Sequence, residues 1–170
     1  NQAAKWSHMT GGQANPSLTI RAIIYRGGEQ GAQHSQSLHS WFSHIPGLKV
    51  VMPYAVQDAR DMLISSVLDP NPVIYIDDRW LYDNEEKVEP ISEKKLNEFK
   101  PNILREGKDL TIASTSFSTQ LALKASDELK KINIGAEVID VRTLNPFNPD
   151  IIIDSVKKTG RLIAIDGGWK

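Results

Sequence analysis

The chain has 170 residues, 40% hydrophobic and 24% charged, with a formal net charge of −1 and no cysteine. That is room for one domain or two small ones. It excludes a disulfide framework, a thiolate nucleophile and any cysteine-based metal or iron–sulfur centre, and it offers no basic surplus for nucleic acid or an anionic membrane. No apolar run approaches the ~18–20 residues of a membrane span, and the first residues lack a signal-peptide pattern. The chain opens inside what reads as a helix (NQAAKWSHM) and stops at DGGWK, just after a strand. Both ends read as cuts through a longer protein.

Thr19–Tyr25 (TIRAIIY) is rich in β-branched residues and predicts a strand. Over 36–45, Leu38, Trp41, Phe42 and Ile45 have the spacing of one helix face, closed by Pro46-Gly47. A short strand, 48–52, ends at Pro53. Val56, Ala59, Met62, Leu63, Ser66 and Val67 predict a helix over 55–68, broken by Asp69-Pro70-Asn71-Pro72. Val73–Ile76 is a continuous apolar run, as expected of a strand buried on both faces of a parallel sheet. From Asn84 to Lys108 the composition turns to Glu, Lys, Asn and Pro, which reads as an interdomain connection. Strand logic restarts at Leu110–Ser114. A helix follows over 117–131, with Leu121, Ala122, Ala125 and Leu129 on one face and Lys130 and Lys131 in its last turn, where positive charge suits the helix dipole. A strand (136–141), a loop through Asn145-Pro146-Phe147-Asn148-Pro149, a helix (150–158) and a strand (161–165) complete a β-α-β-α-β order. That order implies right-handed crossovers and a parallel sheet. The expectation is an α/β protein of two parallel-sheet units.

His34, His39 and His44 recur every five residues, a step of about 140° on a helix, so their rings do not converge on one metal. His39 and His44 read as packing or surface residues of an aromatic helix. Arg26–Gly31 and Gly167-Gly168 follow strands but match neither dinucleotide nor phosphate-loop patterns. Asp77-Asp78 and Glu85-Glu86 are neighbours in sequence, and adjacent strand residues face opposite sides. His34 differs from all of these. It lies in GEQGAQHSQS, a Gly/Gln/Ser loop after a predicted parallel strand, and ligands collect at the carboxyl ends of such strands. An imidazole there can give and take a proton near neutrality, and Gln33, Ser35 and Gln36 can fix its tautomer or bind polar substrate atoms.

The strings NQAAKWSHMTGGQ, IIYRG, GAQHSQS, PGLKVVMPY, DARDML, LDPNPVIYID and LY, then REGKDLTIAS, AEVIDVRTLNPF and the K-T-x-RLIAI strand, cover nearly the whole chain. In order, they resemble the β subunit of the E1 component of thiamine-diphosphate-dependent 2-oxoacid dehydrogenases, the pyruvate, branched-chain and acetoin types, within the transketolase-like superfamily. The resemblance implies a pyrimidine-binding domain over residues 1–85, incomplete at its N-terminus, a connection over 86–104, and a truncated transketolase C-terminal-like domain over 105–170. It implies an α2β2 assembly with thiamine diphosphate at the α/β interface. The α subunit would hold the diphosphate and Mg²⁺ and β would cover the aminopyrimidine. The reaction would be decarboxylation of a 2-oxoacid with acyl transfer to the lipoyl domain of an E2 partner, in the cytoplasm or, in a eukaryote, the mitochondrial matrix.

By the same resemblance, His34 matches the active-site histidine that moves a proton near the cofactor-bound intermediate or assists acyl transfer. Backbone carbonyls of Ile23, Ser66, Asp69 and Asn71 match a structural K⁺ site. The cofactor-binding residues, including the glutamate that activates the aminopyrimidine, would lie upstream of residue 1 and on the α subunit. Two stretches depart from the family: Arg26–His34 is shorter than its Gly-rich loop, and IDDRWLYDNEEKVEP replaces its Glu-Asn…Leu-Tyr-Gly pattern. A sugar-phosphate ketolase or synthase, needing clustered basic residues, and a non-catalytic assembly subunit are the alternatives.

Overall fold

The computed structural model describes residues 1–24, 31–91 and 93–168. In chain order the elements are α1 (Gln2–Met9), β1 (Thr19–Ile24), a 3₁₀ turn (Ala32–His34), α2 (His39–Ser43), β2 (Lys49–Val51), α3 (Val56–Val67), β3 (Val73–Asp78), two 3₁₀ turns (Arg79–Leu81 and Leu96–Glu98), β4 (Asn102–Arg105), β5 (Leu110–Ser114), α4 (Phe117–Lys131), β6 (Ala136–Asp140), β7 (Thr143–Asn145), α5 (Asp150–Thr159) and β8 (Leu162–Ile165). Among the described residues, no helix is long and apolar enough to cross a membrane.

Two four-stranded sheets result, ordered β1-β3-β2-β7 and β4-β6-β5-β8. The three-strand cores β1-β3-β2 and β6-β5-β8 are parallel, as expected of strands joined by helices. β3 is the central strand of the first sheet. Ile74 and Ile76 face a core completed by Leu48, Val50 and the partly buried Phe42 and Ile45 beside α2. Val73 and Tyr75 face the opposite core, with Met62 of α3, Leu96 and Phe99. Each such side chain taken fully out of water contributes about 1.5–3 kcal/mol, so the run VIYI at 73–76 reads as apolar because both of its faces are covered.

Each sheet also carries an antiparallel edge strand where the sequence predicts none. β4 falls inside the stretch read as a connection and pairs with β6. β7 falls inside the loop after β6, and it joins the other sheet, pairing with β2. The sheets are therefore mixed rather than wholly parallel. Neither edge strand exceeds four residues, too short for a period-two pattern to stand out.

Helix boundaries follow the sequence closely, and helix faces do so less well. α4 spans the expected 117–131, but Leu121 and Ala125 are exposed, and the buried face is Ser118, Thr119, Ala122 and Ser126. Small side chains let the helix lie close on β6, and the Ser126 hydroxyl donates to the Ala136 carbonyl at 3.4 Å. The helix expected over 36–45 shrinks to the five residues of α2, with a 3₁₀ turn just ahead of it at Ala32–His34. The hydroxyl of Ser35 donates to the Gly31 carbonyl and that of Ser37 is bonded to the His39 ring, local bonds that compete with helix. α5 stops where expected, with Lys157 and Lys158 in its last turn and Gly160 at φ +70, a left-handed conformation that suits glycine.

Candidate functional site

Where β1 ends, at Ile24, parallel strands β1 and β3 end together, with Ile24 opposite Asp78. The expected Gly-rich turn at Arg26–Gly31 lies outside the described residues apart from Gly31. The chain then runs through the 3₁₀ turn that carries His34. His34 is exposed. Its backbone N–H donates to the Gly31 carbonyl at 3.1 Å and that of Ser35 to the Ala32 carbonyl at 3.2 Å. The ring is thus presented on a short-range turn to whatever meets this side of the molecule.

His39 has no such freedom. It is 3% exposed, where sequence reasoning read only a packing or surface residue. Its Nδ1 lies 3.0 Å from the buried Ser37 hydroxyl, and its Nε2 lies 2.8 Å from Asp166 Oδ1, just past the end of β8. The third histidine of the series, His44, makes no cluster with them, and among the described residues no group of three His, Asp or Glu is placed to hold a metal ion.

The paired acids separate as strand geometry requires. Asp77 accepts from Arg21 Nε at 3.1 Å and Nη2 at 2.5 Å, and from the Tyr82 hydroxyl at 3.0 Å. Its other oxygen is buried without a partner. Asp78, 1% exposed, caps the following turn by accepting from the Trp80 amide. Arg21, Tyr54, Asp77, Asp78 and Tyr82 line a pocket of about 390 Å³ near the strand ends. Glu86 accepts from the amides of Val56 and Gln57 at the N-terminus of α3, where negative charge suits the helix dipole.

The four carbonyls expected to share K⁺ do not come together. Ser66, Asp69 and Asn71 form a corner at the start of β1 and β3. The Ser66 carbonyl already accepts from the Thr19 hydroxyl at 2.7 Å and the Asp69 carbonyl from the Ser17 hydroxyl at 3.0 Å. Thr19 pairs with Val73, whereas Ile23 pairs with Asp77, four residues further along the strand. At about 3.3 Å per residue, Ile23 stands about 13 Å away. Lys49 Nζ sits 2.5 Å from the Asp69 carboxylate. Burial opposes ionisation of Asp69, but Lys49 and the amide groups of Asn71 outweigh it and hold the carboxyl below its ordinary range. The corner is neutralised by an ammonium, and a shell that includes Ile23 does not assemble.

Between the sheets lies a buried polar seam. Met52 N–H donates to the Arg142 carbonyl at 2.8 Å, and the Thr115 hydroxyl donates to the Met52 carbonyl at 3.2 Å. The Arg142 guanidinium bonds Asp58 of α3 and the Lys100 carbonyl. Asp140 is 1% exposed and accepts from the Thr119 hydroxyl at 3.3 Å. Burial pushes its carboxyl up to about 7, and nearby Asp58 adds to the shift while Arg142 opposes it.

Two family models cover this architecture in order: the transketolase pyrimidine-binding domain over residues 1–84 and the transketolase C-terminal domain over residues 100–170. The chain belongs to the families of these two transketolase-type domains. Within those families it is similar to E1 β subunits. The pyruvate dehydrogenase E1 component subunit beta of Rickettsia bellii is 43% identical over 173 residues, covering 99% of this chain and 52% of the relative. The acetoin:2,6-dichlorophenolindophenol oxidoreductase subunit beta of Cupriavidus necator is 42% identical over 166 residues, covering 98% and 49%. The chain therefore spans about half the length of these relatives. Among solved structures, a split-gene transketolase described as an inactive beta4 tetramer superposes with a TM-score of 0.71 at 21% identity, over 98% of this chain and 55% of that one. At that identity the likeness is one of fold.

Proposed function

We propose that this chain is part of the β subunit of a thiamine-diphosphate-dependent 2-oxoacid dehydrogenase E1 component, and that His34 is its proton-transfer residue. The observation that carries the reading is His34 itself, exposed on a short turn beyond β1 within the string GAQHSQS. The described residues supply no metal-holding cluster, and Arg21 and Arg142 are committed to Asp77 and Asp58. In this reading the anionic diphosphate and Mg²⁺ would be held by residues of an α partner, as the likeness to E1 β subunits implies, and this chain would contribute the pyrimidine-domain side of a shared site. Thiamine diphosphate, when bound, supplies the carbanion that adds to the 2-oxo carbon and takes up the electron pair left by CO₂. His34 binds no part of that charge permanently. Its ring nitrogen gives or takes one proton at the reacting oxygen and assists passage of the acyl group to the lipoyl domain of an E2 partner. A monovalent cation at the Ser66–Asp69–Asn71 corner forms no part of this reading. Relatives from bacteria and from plant mitochondria support a working assembly in the cytoplasm or, for a eukaryotic source, the matrix.

Identity of 43% to a pyruvate dehydrogenase E1 β subunit, against 21% to a split-gene transketolase, favours a 2-oxoacid over a sugar phosphate. The deciding measurement uses the complete β chain assembled with its α partner. His34→Ala should lower lipoyl acylation by about 10²–10⁴-fold, the scale of lost acid–base catalysis, with thiamine diphosphate affinity nearly unchanged. Full acylation by that variant would refute the role of His34, and turnover of sugar phosphates but not 2-oxoacids would refute the substrate class.

A further inference from the structure

We propose that His39 and Asp166 are positioning residues for His34, through which the second sheet sets the placement of the turn that follows the first sheet's β1. This rests on the role given to His34 above. The connection is continuous on the page. Asp166 Oδ1 meets His39 Nε2 at 2.8 Å, and His39 Nδ1 meets the Ser37 hydroxyl at 3.0 Å, three residues from His34. Asp166 Oδ1 also accepts from the Gly168 amide at 2.8 Å, so the segment beyond β8 is folded around the same oxygen. A Cβ at position 168 would stand 2.9 Å from His39 Cε1, which fits a glycine where the chain passes the ring.

The chemistry follows from donors and acceptors. An ionised Asp166 only accepts, so His39 Nε2 carries the hydrogen, and in the neutral ring Nδ1 is left to accept from the Ser37 hydroxyl. The ring thereby has one tautomer and one orientation. A serine, a histidine and an aspartate in contact are also the parts of an acyl-transfer triad, but Ser37 is 4% exposed. No acyl carbonyl reaches its oxygen, and anchoring is the role that remains. The turn itself, from Gly31 to Ser35, is held by short-range bonds. A charge-assisted bond directly after it limits how far His34 can swing.

The test uses the full β chain in its α/β assembly. Asp166 is largely exposed, its side chain at 58%, so Asp166→Ala removes the anchor without opening a core, and Asp166→Asn keeps an acceptor oxygen. Hydrogen exchange of the His34 and Ser35 amides and the kinetics of lipoyl acylation are measured together. In Asp166→Ala, exchange at these two amides should rise about tenfold, a factor within reach of one hydrogen bond to a charged group. kcat for acylation should fall while KM for the 2-oxoacid holds. Asp166→Asn should recover most of both, and His39→Gln, whose amide replaces Nε2, should fall between. The α3 amides over 56–67 should not change. Unchanged exchange at 34–35 in Asp166→Ala overturns the proposal. So does an equal rise in α3, which signals general loosening, and so does faster exchange with kcat intact. Full turnover by His34→Ala defeats the functional reading instead, and the exchange result then decides the anchoring on its own.

Discussion

Single residues divide here by what surrounds the same functional group. His34 and His39 are five positions apart, one in water and one sealed at 3% exposure. Only the composition of the neighbouring loop separates them in the sequence, and it marks His34 correctly as a loop residue while giving no hint that His39 reaches Asp166, 127 positions away. Asp140 is similar. In AEVID it lies within the predicted strand 136–141, and its surroundings come from Thr119, Asp58 and Arg142. Its raised value has a measurable consequence. A carboxyl that stays protonated to about pH 7 in the fold, but only to about pH 4 when unfolded, makes the native state bind more protons between those limits. Stability from this group is full below the lower limit and is lost as pH rises through the upper one, at up to about 1.4 kcal/mol per unit. Glu137 and Asp69 act oppositely. Burial opposes their charge, yet Lys158 and Lys49 hold both carboxyls low, so their contribution is lost only as pH falls below the ordinary carboxylate range. Urea titrations of the β chain at pH 5 and pH 8 should show Asp140→Asn flattening the decline. An unchanged pH slope in the variant would assign the decline to other groups.

At the level of elements, the long periodic segments and the short strand β2 were legible, and the antiparallel edge strands β4 and β7 were not. α4 runs over the residues its pattern predicts because fifteen positions average out local preferences, and the continuous run at 73–76 located the central strand. The buried face of α4 was misread because its stripe consists of serine, threonine and alanine, chosen for close approach rather than hydropathy. β7 was invisible for a different reason. Asn145 and Thr143 pair with Val50 and Val51, and no local pattern encodes a partner 95 residues earlier in the chain, as Val50 is for Asn145. What secures it is a side chain: Asn145 Nδ2 donates to the Leu48 carbonyl at 2.7 Å and the Ile45 carbonyl at 3.3 Å. Asn145→Ala takes the side-chain donor from the Leu48 carbonyl, while the Ile45 carbonyl keeps the Leu48 amide, and should cost about 1–3 kcal/mol, read as a lower urea midpoint at constant slope. A loss within about 0.3 kcal/mol, the size of an ordinary surface change, would mean that strand pairing alone holds β7.

Across the whole molecule, the two sheets meet through polar groups together with a few apolar contacts, Leu144 packing on a cluster of each sheet and the Trp80 and Phe117 rings lying 5.1 Å apart. Arg142 and Asp58 are each 14% exposed at the side chain, and the guanidinium also lies over the Phe99 ring at 5.9 Å. Removing one member of such a pair leaves an uncompensated charge, a loss of about 3–5 kcal/mol. Arg142→Met keeps the bulk over Phe99 and deletes the charge. Calorimetry of the β chain should then resolve two unfolding transitions in place of one, whereas a single transition at lower temperature would show that β7 suffices to couple the sheets. The strand exchange also dictates an order of assembly. A nascent chain that has emerged only as far as residue 100 holds β1, β3 and β2 with the outer edge of β2 bare, and the strand that covers it is not made until Asn145 has left the ribosome. The N-terminal half is therefore sticky for as long as translation takes to add some 45 residues, a few seconds at the usual ~5–20 residues per second, and in that interval a holding chaperone has most to protect.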